Sequence, residues 1–159
     1  MKYFSWLIIL TLFFSCKSPE NQYTKDSPEI EYCLALLSYY NTFNFKGIKE
    51  IYSDTVKIYE NNLEPYDVER LLASLKSSEF NLEYQRLNDT VNIEMIVNDK
   101  GEKWVYARYI WKIKYINAQR ELKIPVHSSW QFVENKIVKD YTYYDSKHFD
   151  HRFDSIPLQ

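Results

Sequence analysis

Asp140 lies near the end of the chain, in the strand-like run KIVKDYTYY. A carboxylate surrounded by Tyr, Trp and Phe loses contact with water, and this raises its pKa toward the range in which it can accept a proton. Two interpretations follow. Asp140 is either a catalytic base that works with a tyrosine as proton donor, or an acid at a pocket rim that pairs with Lys or Tyr. The sequence leaves both open.

His127 is the alternative catalytic candidate, because it is the histidine within the predicted core pattern. Period-two alternation along residues 122–133 places it with Lys123 and Gln131, on the less apolar face of a strand. We therefore expect its side chain to point away from the core, unless a β-bulge shifts the alternation and turns the side chain to the other face.

His148 and His151 supply nitrogen donors in a run that also carries carboxylates. Such donors bind zinc or copper when a rigid element and matching distal ligands hold them. The sequence offers neither, so we expect a solvated tail and no metal site.

The composition excludes several functions. With only two glycines, Gly47 and Gly101, the chain cannot contain a P-loop or a dinucleotide-binding fingerprint. We predict no cofactor. The formal charge is −2 and the isoelectric point about 5.9, so the broad positive field of nucleic-acid-binding proteins is absent, and no nucleic-acid partner is expected.

The first sixteen residues are predicted to be a targeting segment. Lys2 is followed by an apolar run from Trp6 to Phe14, which is too short to span a bilayer but suits the core of a secretory signal. The end of the run, FFSC, resembles the bacterial lipoprotein signal, in which cleavage after a small residue leaves a lipidated cysteine. This resemblance implies lipidation of Cys16, with a plain secretory signal as the alternative.

Four regions follow from this interpretation: a signal peptide at 1–15, a flexible tether at 16–26, an α+β domain at 27–147 and a tail at 148–159. The tether motif SPE resembles the surface-export signals of Bacteroidota lipoproteins. We expect a membrane partner through the lipid and a place in the bacterial envelope, at the outer rather than the inner membrane. Cys33 is then the remaining thiol, and its helical apolar surroundings predict a buried structural residue.

The elements that would position Asp140 fall into two groups. Capping residues and helical apolar spacing predict a helix from Pro28 to about Thr42, a short helix after Asn44 and a third helix that begins near Pro65. A strand over Thr55–Tyr59 lies between the second and third helices. From Phe80 onward, long period-two segments separated by turn residues predict an antiparallel meander. Helices gathered on one face of a curved antiparallel sheet would cover both apolar surfaces.

Two segments carry a family resemblance: SWQFVENKIVKDYT at 129–142 and NFKGIKEIYSDTV at 44–56. They resemble the final hairpin, and the helix leading into the first strand, of the SnoaL-like branch of the nuclear transport factor 2-like superfamily. The resemblance covers roughly residues 28–145 and implies a cone-shaped fold with a pocket between sheet and long helix. The residues expected to line the pocket are Tyr109, Trp111, Ser128, Trp130, Asp140 and Thr142.

In SnoaL-like cyclases the last strand presents a catalytic acid, often with a histidine two residues away. Carried onto this chain, the histidine position falls on Asp140 and the acid position on Thr142. A hydroxyl cannot replace a carboxylate in proton transfer near neutral pH, because its pKa lies far outside the useful range. This departure argues against the best-known chemistry of that family.

The sequence therefore favours a lipid-anchored envelope protein with a non-catalytic ligand-binding or accessory domain that accepts a small hydrophobic ligand. The first alternative is a small isomerase, dehydratase or hydrolase that acts on a hydrophobic substrate through Asp140. The second is a docking module that uses the open face of the sheet, with a homodimer as one form of it.

Three short motifs, at Thr55, Thr90 and Ser155, each place a hydroxyl between an acid and an apolar residue. They resemble the acceptor sites of Bacteroidota protein O-glycosylation. Thr90 is the most accessible candidate, because it lies at a predicted turn.

Overall fold

The computed structural model describes residues 23–87 and 89–147. The first helix, α1 (Pro28–Asn41), begins where the sequence places a capping residue: the Ser27 side chain accepts a hydrogen bond from the Ile30 amide. Its inward stripe, fully buried, consists of Ile30, Cys33, Leu36 and Leu37. The predicted signal peptide, Cys16 and the tail from 148 to 159 lie outside the described residues.

Two further helices follow. Helix α2 (Phe45–Ile51) is capped by Asn44, whose side chain accepts from the Gly47 amide at 3.0 Å. A Cβ atom at Gly47 would lie 2.7 Å from the Tyr39 ring, so glycine lets α2 pack closely against α1. Helix α3 (Val68–Glu79) begins at Asp67 rather than at Pro65, because Asp67 supplies the capping carboxylate to the Arg70 amide.

Within residues 23–87 and 89–147, seven strands form one sheet. In chain order they are β1 (Tyr23–Thr24), β2 (Tyr52–Glu60), β3 (Leu82–Arg86), β4 (Val91–Val97), β5 (Lys103–Tyr115), β6 (Leu122–Val133) and β7 (Lys136–Tyr144). The spatial order is β1-β4-β5-β6-β7-β2, and β3 also pairs with β5. Strand β1 comes from the segment predicted to be a tether, and its Tyr23 pairs with Ile96 of β4, so this part of the segment belongs to the sheet.

The predicted α+β class, with helices packed on a curved sheet, is confirmed, but the sheet is mixed rather than antiparallel. Strand β2 runs parallel to β7, and the chain between them forms β3 to β6 before it returns to this edge. Strands β3 and β4 do not form a hairpin. They pair with successive parts of the same edge of β5, the longest strand.

The two faces of the sheet differ as the alternation predicts. The inner face of β5 and β6 is buried against α1 and the other helices, with Val105, Tyr109, Ile113, Ile124 and Trp130 among its residues. The outer face carries Arg108, Lys112, Lys114 and Lys123, whereas Lys103 pairs with the buried Glu29 of α1. Within the described part of the chain, no helix is long and apolar enough to cross a bilayer.

Candidate functional site

Asp140 lies on the inner face of β7, the strand next to the edge strand β2. Its neighbours across the ladder are Trp130 on β6 and Ile58 on β2. Only 4% of Asp140 is exposed to solvent. The parallel pairing of β2 with β7 therefore brings residues from the first third of the chain to this carboxyl group.

Asp140 lines a cavity of about 80 Å³ between the inner face of the sheet and helices α1 and α3. Aromatic side chains supply much of the wall, and aliphatic ones fill the space between them. The lining residues are Tyr40, Ile58, Glu60, Tyr66, Leu71, Leu75, Gln85, Leu87, Tyr109, Trp111, Val126, Trp130, Asp140, Thr142 and Tyr144.

Two hydroxyl groups donate hydrogen bonds to the Asp140 carboxylate. The Tyr52 hydroxyl lies 2.5 Å from Oδ2, and the Thr142 hydroxyl lies 2.9 Å from Oδ1. Burial raises the pKa of Asp140 to about 6, while the bonds from Tyr52 and Thr142 act in the opposite direction by favouring the charged form. Asp140 can therefore exchange a proton near neutral pH.

The hydrogen bonds continue outward from Asp140 in two arms. In one arm Tyr40 contacts Tyr52 at 3.0 Å. Because the Tyr52 proton is committed to Asp140, Tyr40 must be the donor in this contact. Burial, and after it the charge of Asp140, raises the pKa of Tyr52 well above its usual value, so Tyr52 keeps its proton and remains a donor.

The second arm runs from Thr142 to Ser128 at 2.8 Å and from Ser128 to Tyr109 at 3.1 Å. Because the Thr142 proton is committed to Asp140, Ser128 donates to Thr142, and Tyr109 in turn donates to Ser128. An ionised Asp140 thus orients every hydroxyl of both arms toward itself. Protonation of Asp140 would reverse one arm and turn a hydrogen toward the cavity.

A second carboxyl group, that of Glu60, also lines the cavity, and the sequence analysis did not identify it. The Tyr66 hydroxyl donates to Glu60 Oε2 at 2.5 Å, and the Tyr144 hydroxyl donates to Oε1 at 2.7 Å. The negative charge of Glu60 contributes to the raised pKa of Asp140. Strand alternation could have found Glu60, because it shares a face with the buried Ile58, two residues earlier.

The indole N–H of Trp130 is a buried donor that makes no hydrogen bond of regular geometry among the described residues. Trp130 is 1% exposed and lies opposite Asp140 on the neighbouring strand. Its N–H still favours the charged form of Asp140. An acceptor placed in the cavity beside Asp140 would complete its bonding.

The structure brings together most of the residues that the sequence predicted for the pocket. On the cavity wall it places Tyr109, Trp111, Trp130, Asp140 and Thr142. Ser128 lies behind the wall, where it links two of them. The alternative catalytic residue His127 is exposed on the outer face of β6, opposite Arg108 and Tyr143, so geometry gives it no access to the cavity.

Other candidate chemistry lies apart from the cavity. Cys33 is fully buried, and burial followed by the charge of Asp140 raises the pKa of its thiol well above the usual value, which disfavours the nucleophilic thiolate. Among residues 23–87 and 89–147, no three His, Cys, Asp or Glu side chains converge as a metal site. His148 and His151 lie beyond these ranges.

Thr55 and Thr90 of the predicted glycosylation motifs are both exposed. Thr55 belongs to β2, and Thr90 precedes β4 in the segment where Asp89 pairs with Lys112 at 2.7 Å. Ser155 is outside the part of the chain that the structure describes.

The outer face of the sheet carries a row of aromatic rings. Tyr59 and Tyr141 stack with their ring centroids 4.5 Å apart, and Trp104 lies 6.1 Å from Tyr141 and 6.4 Å from Tyr106. This row belongs to the face opposite the cavity.

No protein-family model matches this chain, and no curated protein matches it. Solved structures do resemble it. IdmH, a candidate polyketide cyclase from Streptomyces antibioticus, is 12% identical, with a TM-score of 0.63 over 81% of this chain and 99% of its own. An NTF2-like protein of unknown function from Burkholderia pseudomallei is 11% identical, with a TM-score of 0.63 over 80% and 97%.

A protein with a ketosteroid isomerase-like fold from Catenulispora acidiphila, solved in complex with trimethylamine, is 12% identical. Its TM-score is 0.58 over 73% of this chain and 86% of its own. At such low identities the likeness concerns the backbone alone. The chain therefore has the NTF2-like cone fold that its sequence resembles.

Proposed function

We propose that this protein is a lipid-anchored domain of the bacterial envelope that binds a small organic molecule in the cavity beside Asp140. The observation that supports this proposal is the Asp140 carboxyl itself. A buried ionisable group without a cationic partner costs stability, and such groups are characteristic of functional sites. The cavity, with apolar walls and a few convergent polar groups, has the general character of a ligand pocket.

The volume of the cavity limits the size of the ligand that can bind in it. Pockets for drug-sized molecules typically measure about 300–1,000 Å³, whereas this cavity measures about 80 Å³. A multi-ring substrate would not fit without a rearrangement of α3 or of the sheet. A molecule of a few non-hydrogen atoms fits as the cavity stands, and the trimethylamine held by one structural neighbour is of this size class.

Binding can be tested by screening a panel of small fragments against the full-length protein by NMR, with the Trp130 indole resonance as the reporter. The expected result is a saturable shift of that resonance by at least one class of fragment. A Leu75→Trp variant, which fills the cavity from α3, should lose the response. A panel that leaves the Trp130 resonance unmoved would contradict the proposal.

The proposed lipid anchor at Cys16 is inferred from the sequence. Lipidation of Cys16 would attach more than one acyl chain, which membrane anchoring requires, since each buried CH₂ contributes about 0.8 kcal/mol. Mass spectrometry of the N-terminal peptide from the native host should show acyl mass on Cys16. A Cys16→Ser variant should lose both the lipid and membrane association. An unmodified peptide that still begins at Met1 would contradict this part of the proposal.

A second candidate function is acid–base catalysis on a small substrate, favoured by one specific observation. Asp140 combines a pKa of about 6 with a place on the cavity wall, so a group that can accept a proton near neutral pH faces the space that a small substrate would occupy. Exchange of deuterium from solvent into small ketones would test it. Catalysed exchange that is lost in Asp140→Asn supports this function, and exchange equal in the two proteins contradicts it.

A further inference from the structure

We propose that the natural ligand of the cavity is a small organic cation, a protonated amine or alkylammonium of a few carbon atoms. This inference rests on the proposed function, because it assigns a chemical class to the molecule that the cavity binds. Three properties of the wall support it: charge, hydrogen-bonding capacity and aromatic surface.

The first property is an excess of negative charge. Asp140 and Glu60 both line the cavity, and no lysine, arginine or histidine among the described residues does so. The Arg70 guanidinium lies 5.4 Å from the centroid of the Tyr66 ring, but the Arg70 side chain is exposed and does not line the cavity. A cationic occupant would supply the missing counter-charge.

The second property is that the donors of the wall, apart from the Trp130 indole N–H, are already engaged within the protein. With Asp140 ionised, Tyr40 and Tyr109 donate away from the cavity, along the two hydroxyl arms. The hydroxyls of Tyr66 and Tyr144 donate to Glu60.

The amide of Gln85 donates to the Tyr40 carbonyl and accepts from the Trp111 indole. What the wall offers an occupant is therefore mainly acceptors: carboxylate oxygens and phenolic lone pairs. A ligand rich in N–H donors complements such a wall, and an anion or a carbonyl compound does not.

The third property is aromatic surface. Tyrosine and tryptophan rings attract cations over their faces, most strongly where water is excluded. The rings on the wall are those of Tyr40, Tyr66, Tyr109, Trp111, Trp130 and Tyr144. Together with two carboxyl groups they form the kind of enclosure that holds an alkylammonium by its charge and its methyl groups at once.

An independent observation also indicates an occupant. The Trp130 indole N–H, buried in the wall, has no regular hydrogen-bond partner. An amine that carries a hydroxyl or ether oxygen would satisfy this donor while its ammonium group faces Asp140. Within the class of small cations, we therefore expect short amino alcohols to bind more tightly than simple amines.

A matched pair of ligands provides the test. Isopropylamine, which is cationic at pH 7.5, and isopropanol have the same heavy-atom shape and differ in charge. Titrations of the full-length protein, followed through the Trp130 indole resonance, should give at least tenfold tighter binding for the amine. Equal or tighter binding of the alcohol would overturn the inference and leave the proposed function standing. Binding of neither would also overturn it, and the fragment panel would then decide the proposed function separately.

Two variants test whether the charge of Glu60 causes the preference for the amine. Glu60→Gln keeps the size of the side chain and removes its charge, so it should weaken binding of the amine severalfold while binding of isopropanol changes little. Glu64→Gln, at an exposed position that does not line the cavity, is the matched control and should bind like the parent. Equal losses for amine and alcohol in Glu60→Gln would show that Glu60 acts through shape alone and would overturn its role as a counter-charge.

Discussion

Tyr52 donates its hydroxyl proton to Asp140 Oδ2 across 2.5 Å, although the two residues are 88 positions apart in the chain. The contact exists because β2 pairs in parallel with β7, at the edge where the chain returns. It joins a buried acid to a phenol that stays protonated, and it leaves the rest of the carboxylate facing a small aromatic cavity.

The first prediction concerns stability and pH. Burial raises the pKa of Asp140 in the folded protein to about 6, above the value of about 3.9 expected in the unfolded chain. Asp140 therefore contributes stability that is fully present below about pH 4 and is lost as the pH rises through about 6.

Asp140→Asn cannot ionise, so it should be more stable than the parent at pH 8, by up to about 3 kcal/mol, and should differ little at pH 4. Urea denaturation at both pH values measures the difference, and Asp54→Asn at an exposed position serves as the control. If Asp140→Asn is destabilised equally at both pH values, the carboxylate is a structural group and the functional interpretation is wrong.

The second prediction concerns the two donors of Asp140. Tyr52→Phe removes the largest influence that lowers the pKa of this carboxyl, so the midpoint of Asp140 should move upward from about 6. The carboxyl carbon resonance of Asp140 reports the midpoint directly. Tyr143→Phe, at an exposed position of the same strand as Asp140, should leave it unchanged. A downward or absent shift in Tyr52→Phe would contradict the arrangement of the hydroxyl arms.

The third prediction uses the shape of the cavity. Leu75→Phe adds a ring from α3 into the space that a ligand would occupy, at a cost of about 1–3 kcal/mol for overpacking. Any fragment that binds the parent should bind this variant at least tenfold more weakly. Leu63→Phe, at a position 91% exposed, should affect neither stability nor binding. Undiminished binding in Leu75→Phe would place the ligand elsewhere on the protein.

The fourth prediction concerns the packing that supports the cavity. Gly47→Ala would bring a methyl group within 2.7 Å of the Tyr39 ring, in the contact between α1 and α2. We expect destabilisation of about 1–3 kcal/mol in urea titrations, because the ring has to move. Combining it with Tyr39→Ala should recover part of the loss, since the ring that causes the clash is gone. An unchanged midpoint in the single variant would show that the two helices are less tightly packed than described.

Much of the fold could be predicted from local signals. Ser27 and Asn44 identify helix starts because capping is a local interaction, and the alternation along 122–133 identifies the buried face that includes Trp130. Asp140 was recognised for the same reason, since a charged residue among apolar and aromatic neighbours is visible in the sequence.

The features that local patterns do not predict depend on the pairing of segments that are far apart in the chain. Tyr52 was not predicted as the partner of Asp140, because nothing local indicates that β2 joins β7 in parallel. Glu60 was missed because the predicted strand stopped at Tyr59, one residue too early. The family resemblance places its catalytic acid at Thr142, and the structure shows that this hydroxyl instead donates to Asp140 two residues earlier.

The most direct test of the whole account is the titration of Asp140 in the wild-type domain, followed through its carboxyl carbon resonance by NMR. The expected midpoint lies near 6, because the carboxyl group is buried beside an aromatic cavity. A midpoint of about 4, the value of a solvated aspartate, would contradict the account, because Asp140 would then face water rather than a secluded site.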